Sequence, residues 1–134
     1  MLPRYAIYYP IHFLGIFITF MCIGAMCIYC KNGGVKDNNP SRKFLAITHG
    51  ISLLLVMIGG MGLMKATGAA VNGFPVWINL KLVIWLIVGM SSMVIYKKPK
   101  LATLWFFIYA SLGILAGLTA KFKSFEGYLN YFNS

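Results

Sequence analysis

The sequence predicts an all-α integral membrane protein: one domain over residues 1–134, folded as an antiparallel, up-down-up-down bundle of four transmembrane helices. Three observations predict it. First, 60% of the residues are hydrophobic and only 10% charged, at a mean hydropathy of +0.78; a soluble domain carries about 25% charged residues to dress its surface. Second, four stretches reach the roughly 20 apolar residues needed to cross a ~30 Å hydrocarbon core. Third, the segments between them are short and polar or turn-rich, which sets consecutive helices side by side and antiparallel. The apolar content excludes disorder, and the missing polar surface excludes a soluble nucleic-acid binder.

The spans are expected at about 5–30, 44–64, 77–96 and 101–120. None shows the period-2 alternation of a strand. Arg4 before an apolar run resembles a signal peptide, but the run is too long and lacks a small-x-small cleavage site, so a retained first helix is expected. Within it, Pro10 suits the first helical position, which would put His12 in the first turn. His12, Gly15, Thr19, Cys22 and Met26 follow at spacings of 3-4-3-4, one seam of a left-handed bundle. Lys31 to Lys43 is a link with Asn32-Gly33-Gly34 and Asp37-Asn38-Asn39-Pro40 as turn signals. The second span carries a similar stripe in His49, Ser52, Val56 and Gly60. Asn72-Gly73-Phe74-Pro75 marks the next turn, and Lys97-Lys98-Pro99-Lys100 a minimal hairpin before the last span. That span contains Gly113 and Gly117 as a GxxxG, a packing signal common in membrane helices. Trp77, Tyr96 and Tyr8-Tyr9 lie near span ends, as interfacial aromatics do.

Two acidic residues, Asp37 and Glu126, face twelve Lys and Arg, for a formal net charge of +10. In a membrane protein such a balance reads as positive loops against anionic lipid headgroups. Lys31, Lys36, Arg42, Lys43, Lys97, Lys98 and Lys100 fall in the two links on one side; Arg4, Lys65, Lys121 and Lys123, with Lys81, fall on the other. The bias favours both termini outside the cytoplasm.

Three ionisable side chains lie within spans: His12, His49 and Lys81. Such groups cost about 2.5–3.5 kcal/mol on insertion scales and tend to be functional. Lys81 is one turn into its span and can snorkel outward. His49 has two readings: a neutral imidazole hydrogen-bonded to a backbone carbonyl across the bundle, or an axial ligand to haem iron. His12 is the other candidate ligand. Antiparallel spans would hold His12 and His49 more than about 10 Å apart in depth, so a bis-histidine haem would need the same histidine from two subunits, or a shifted first span. Lys81, with Arg4 and Lys65, would be the charge partner for porphyrin propionates or lipid phosphate.

No span contains Asp or Glu, which argues against a proton-coupled transporter. Thr19, Ser52, Ser91, Ser92 and Ser111 are too few and scattered to line a pore. HExxH, GxSxG and P-loop motifs are missing. Cys27 and Cys30 form a C-x-x-C at the cytoplasmic end, where thiols stay reduced, and Cys22 makes the count odd.

The run from Phe74-Pro75-Val76-Trp77 through Lys81-Leu82 to Trp85 and Gly89 resembles the third helix of small four-helix bacterial membrane proteins of the SirB type. Gly60-Met61-Gly62-Leu63-Met64 is similar to the glycine-rich end of their second helix. Membrane protoporphyrinogen oxidases of the HemJ type are distantly similar: they share the size, a His in the first span and a Trp…Lys pair in the third. By that resemblance His12 matches the first-span His and Lys81 the third-span Lys, and haem b is the implied cofactor. The Arg-x-x-x-Tyr-His context of the oxidases is absent, with Tyr29-Cys30-Lys31 in its place. Two functions therefore stand as expectations. The chain binds haem b or a related tetrapyrrole through His49 or His12, with Lys81 beside it. Alternatively, its small-residue seams make it a non-catalytic subunit or assembly factor of a larger membrane complex. Homo-oligomerisation or partner membrane subunits are expected under either.

Overall fold

The computed structural model describes residues 3–69 and 73–132, and of 120–132 the backbone alone. Among the described residues every regular element is helical: α1 (Arg4–Lys31), α2 (Arg42–Thr67), α3 (Val76–Gly89), α4 (Ser91–Lys97) and α5 (Ala102–Phe132). Single turns of 3-10 helix sit in the links at Lys36–Asn38 and Pro99–Leu101. α1, α2 and the stretch Pro99–Thr119 are each long and apolar enough to cross a membrane. α3 and α4 reach that standard only as a pair, bent by 42° at their junction. The third apolar stretch is thus broken at Met90 and is not one straight rod. Lys121 and Lys123 lie beyond the residues whose side chains are described, and Asn72 lies in the undescribed link.

Two local differences from the sequence reading matter for the site. Pro10 is inside α1 and not at its start; Pro3 occupies the N-cap position. A proline there has no N–H to give the carbonyl one turn back, yet the helix continues through it. His12 accordingly sits eight residues past Arg4, about 12 Å along the axis, and not in the first turn. The second difference is the 31-residue length of α5, which runs on past the expected end at 120.

α1 and α2 form the largest interface. Their contacts pair Gly15 with Val56 and Ser52, Thr19 with Ser52, and His12 with Gly59 and Val56, so the two helices run antiparallel. The approach is backbone to backbone. A Cβ on Gly15 would fall 2.7 Å from the Val56 amide nitrogen and 2.9 Å from the Ser52 carbonyl oxygen; one on Gly59 would collide with the His12 main chain. Lipid tails are as apolar as Leu, so helices in a bilayer gain most from close packing and hydrogen bonds, which small residues permit. The C-terminal half of α1 builds the core: Cys22, Ile23, Met26 and Cys27 pack with Ile84, Val88, Ile95, Ala102 and Tyr109. Gly113 of α5 receives the Phe20 ring, whereas Gly117 has open space around its Cα, so the GxxxG seats a side chain and not a second backbone. Large apolar side chains such as Phe17, Met21, Phe44, Leu54 and Phe107 point outward. An apolar exterior of this extent exceeds what soluble monomers expose and is consistent with a membrane protein.

Substitution at the backbone contact should be costly in proportion to the crowding. Gly15→Val and Gly59→Val are each expected to destabilise by about 1–3 kcal/mol or more through overpacking, read as a lowered unfolding midpoint in detergent. Gly50→Ala, at a position with nothing within 4 Å, should be neutral or slightly stabilising on helix propensity.

Candidate functional site

The ionisable groups named from the sequence lie at two stations on α2. Near the N-terminal end of α1, the His12 Nδ1 is 2.8 Å from the Val56 carbonyl oxygen. A carbonyl can only accept, so Nδ1 carries the proton and donates, and the Nε2 lone pair is left over. The ring is half-buried and lies over Gly60, where a Cβ would come within 3.2 Å of Cε1. The α1 seam thus continues to His12 because α2 presents only glycine opposite it. Lys81 of α3 is at the same end, close enough to His12 for their charges to interact. Its ammonium lies 5.4 Å from the Trp77 ring centroid, a cation–π distance.

The second station is deeper. His49 is 4% exposed, and its Nε2 lies 3.3 Å from Ser91 Oγ. The carbonyls of Val88 and Gly89 are beside the ring, but Nδ1 has no partner at hydrogen-bond geometry. Ser91 is the first residue of α4, directly after the bend. Sharp kinks arise where a side chain enters the helical hydrogen-bond ladder or at Gly/Ser steps. Gly89 and Ser91 supply such a step here, and the His49 imidazole packs beside it.

Three hydroxyls that look scattered along the sequence converge on this station. Thr19, Ser52 and Ser91 are 2%, 0% and 0% exposed. Thr19 Oγ1 and Ser52 Oγ are 2.8 Å apart. Thr19 Oγ1 is also within 2.8 Å of the Gly15 carbonyl, and Ser52 Oγ within 2.8 Å of the His49 carbonyl. Each hydroxyl has one proton and two acceptors within reach, so two protons serve three contacts. Trp85 Nε1 adds a bond of 3.1 Å to the Leu53 carbonyl, tying α3 to α2. The result is a polar line from α1 through α2 to the α3–α4 corner.

The partners of His12 on α2 lie seven to eleven residues beyond His49, or about 10–17 Å along the axis. The two imidazoles therefore do not face one another across a single iron. Among the described residues no three His, Cys, Asp or Glu side chains converge as they would around a bare metal ion. A haem makes a smaller demand, since the porphyrin supplies four ligands and the protein one or two. The buried thiols Cys22, Cys27 and Cys30 are free. Sequence reasoning missed Ser91 as the partner of His49 and Asn39 as the residue joining the first link to α4, where Asn39 Nδ2 donates to Tyr96 Oη at 2.7 Å. Neither carries a periodic signal, because both act over more than forty residues of chain.

No protein-family model matches the chain, and no curated protein or solved structure matches it.

The hydroxyl pair is testable by a double-mutant cycle. Thr19→Val and Ser52→Ala should show a coupling of about 0.6 kcal/mol, and no more than about 1.7 kcal/mol, in reversible unfolding from mixed micelles.

Proposed function

We propose that the chain is a four-span, up-down-up-down antiparallel protein of the bacterial inner membrane, with α3 and α4 forming one kinked span, and that it binds haem b or a related tetrapyrrole through His12. The observation that carries the haem reading is the Nδ1–H···O=C bond from His12 to Val56. A backbone carbonyl on one ring nitrogen fixes tautomer and orientation and leaves the other nitrogen basic, as at histidines that ligate metals. Lys81, half-buried at the same end, supplies positive charge for a propionate. The half-buried position would let the porphyrin approach from outside α1 and α2, and His12 of a second copy of the chain could help to hold the same group. When bound, haem supplies one-electron chemistry at iron. The chain's own part is to orient the imidazole, hold the propionate end and keep the ring in an apolar surrounding.

His49 suits this role less well. Its Nε2 faces Ser91 and it is closed in by protein, so iron could reach it only if the helices parted. Its part here is structural, joining α2 to the α3–α4 corner through Ser91. The predominance of Lys and Arg on the two links supports placing that end in the cytoplasm and both termini outside.

Protein purified in mild detergent from haem-replete cells should show a Soret band, with sharp α and β bands after dithionite. His12→Asn can still donate to the Val56 carbonyl but makes a poor haem ligand; it should lower haem per chain at least about tenfold while the fold survives. His49→Ala should keep its haem. Haem content unchanged in His12→Asn would overturn the assignment. A colourless wild-type protein would favour the non-catalytic subunit or assembly factor, which should then co-purify with membrane partners.

A further inference from the structure

The end of the bundle opposite His12 holds a feature that the haem reading does not use. α2 and α4 leave a cavity of about 310 Å³ between them at the link end, within the size range of small-molecule sites. Its rim carries three cations from three separate elements: Lys36 of the 3-10 turn, Arg42 at the start of α2 and Lys97 at the end of α4. Its wall is mostly apolar, formed by Ala46, Met93 and the fully buried Met26, with Ser92 and Tyr96 beside them. Ala46 and Met93 are themselves exposed on the lateral surface. The cavity therefore opens two ways, axially among the cations and sideways along the helix flanks. One negative group, Asp37, is nearby and pairs with Arg42 at 3.1 Å, from a side chain 87% exposed.

We propose that this cavity binds the phosphate group of an anionic phospholipid. The phosphate sits among Lys36, Arg42 and Lys97, and the start of an acyl chain leaves past Met93 and Ala46. The inference rests on the membrane placement of the chain but not on haem. Three chemical features support it. The cations exceed the local acid by two, which favours an anion over a zwitterion. Arg offers a planar fork of donors that fits phosphate oxygens. An apolar outlet beside a cationic rim matches an amphiphile, whereas a freely soluble phosphate would gain nothing from that outlet. Basic pockets between helices on the cytoplasmic side of membrane proteins recognise lipid headgroups by this chemistry.

The test uses the full-length protein in a neutral detergent, with binding read by native mass spectrometry and by thermal shift. Phosphatidylglycerol should be retained and raise the unfolding midpoint, while phosphatidylcholine should do neither. Lys36→Gln, Arg42→Gln and Lys97→Gln combined should weaken phosphatidylglycerol binding at least about tenfold. The combination of Lys31→Gln, Lys98→Gln and Lys100→Gln removes the same charge from the same end and should change binding less than about threefold. Ala46→Phe keeps all the charges, blocks the lateral outlet and should also weaken lipid binding. Equal losses from the two triple variants would overturn the proposal in favour of a diffuse surface field. Phosphatidylcholine binding as tightly as phosphatidylglycerol would overturn it too. So would glycerol phosphate binding as tightly as the intact lipid, which would make the ligand a soluble phosphate.

Discussion

The backbone contact between α1 and α2 is the constraint on which the rest of the structure depends. Gly15 and Gly59 remove the side chains that would otherwise hold the helices apart, and the main chains meet at van der Waals distance. At that spacing the His12 ring reaches the Val56 carbonyl and the Thr19 hydroxyl reaches Ser52. With the helices a few ångströms further apart, both contacts would be lost and two polar groups would be left in an apolar medium. Close packing and polar satisfaction here are one arrangement with two consequences.

The polar groups of the interior follow a common rule. In hydrocarbon an unpaired polar group costs several kcal/mol, and a helical carbonyl already bonded within its helix has a second lone pair to offer. His12, Thr19, Ser52 and Trp85 all turn to main-chain carbonyls, at Val56, Gly15, His49 and Leu53. Among the described residues Trp105 and His49 depart from it: the Trp105 indole nitrogen has no partner, and His49 meets a side chain, Ser91, beside two carbonyls at a broken helix, with its Nδ1 unbonded. At the bend the Met90 N–H still donates to the Leu86 and Ile87 carbonyls and the Met90 carbonyl accepts from the Val94 N–H, so the break leaves these main-chain groups paired.

Much of this was legible in the sequence. The lengths of the apolar stretches located the helices to within a few residues at most ends. The 3-4-3-4 spacing on α1 picked out Gly15, Thr19, Cys22 and Met26, all of which are buried. Their partners were less legible. Thr19, Ser52 and Ser91 are far apart in sequence, and only the register of α1 on α2 and of α2 on α4 brings them together. The bend at Met90 was hidden because α3 and α4 form a continuous apolar run, and neither the Gly89/Ser91 step within it nor the contact of Ser91 with a histidine some forty residues away leaves a trace in periodicity. Pro10 misled for a related reason. Proline is most at home at a helix start, and nothing local shows that this helix begins a turn and a half earlier, at Arg4. The link-end cavity is likewise a product of assembly, since Lys36, Arg42 and Lys97 converge from three elements.

The chain is thus polar at two levels of α2 and most basic at one end, and its proposed chemistry depends on the tautomer that packing imposes on His12. Nitrogen-15 NMR of histidine-labelled protein in bilayers, with a His49→Ala sample to assign the two rings, measures that tautomer directly. The account predicts a neutral His12 protonated at Nδ1, with an unprotonated Nε2 in haem-free protein. A His12 protonated at Nε2, or exchanging freely between the two forms, would contradict the α1–α2 register and the site built on it.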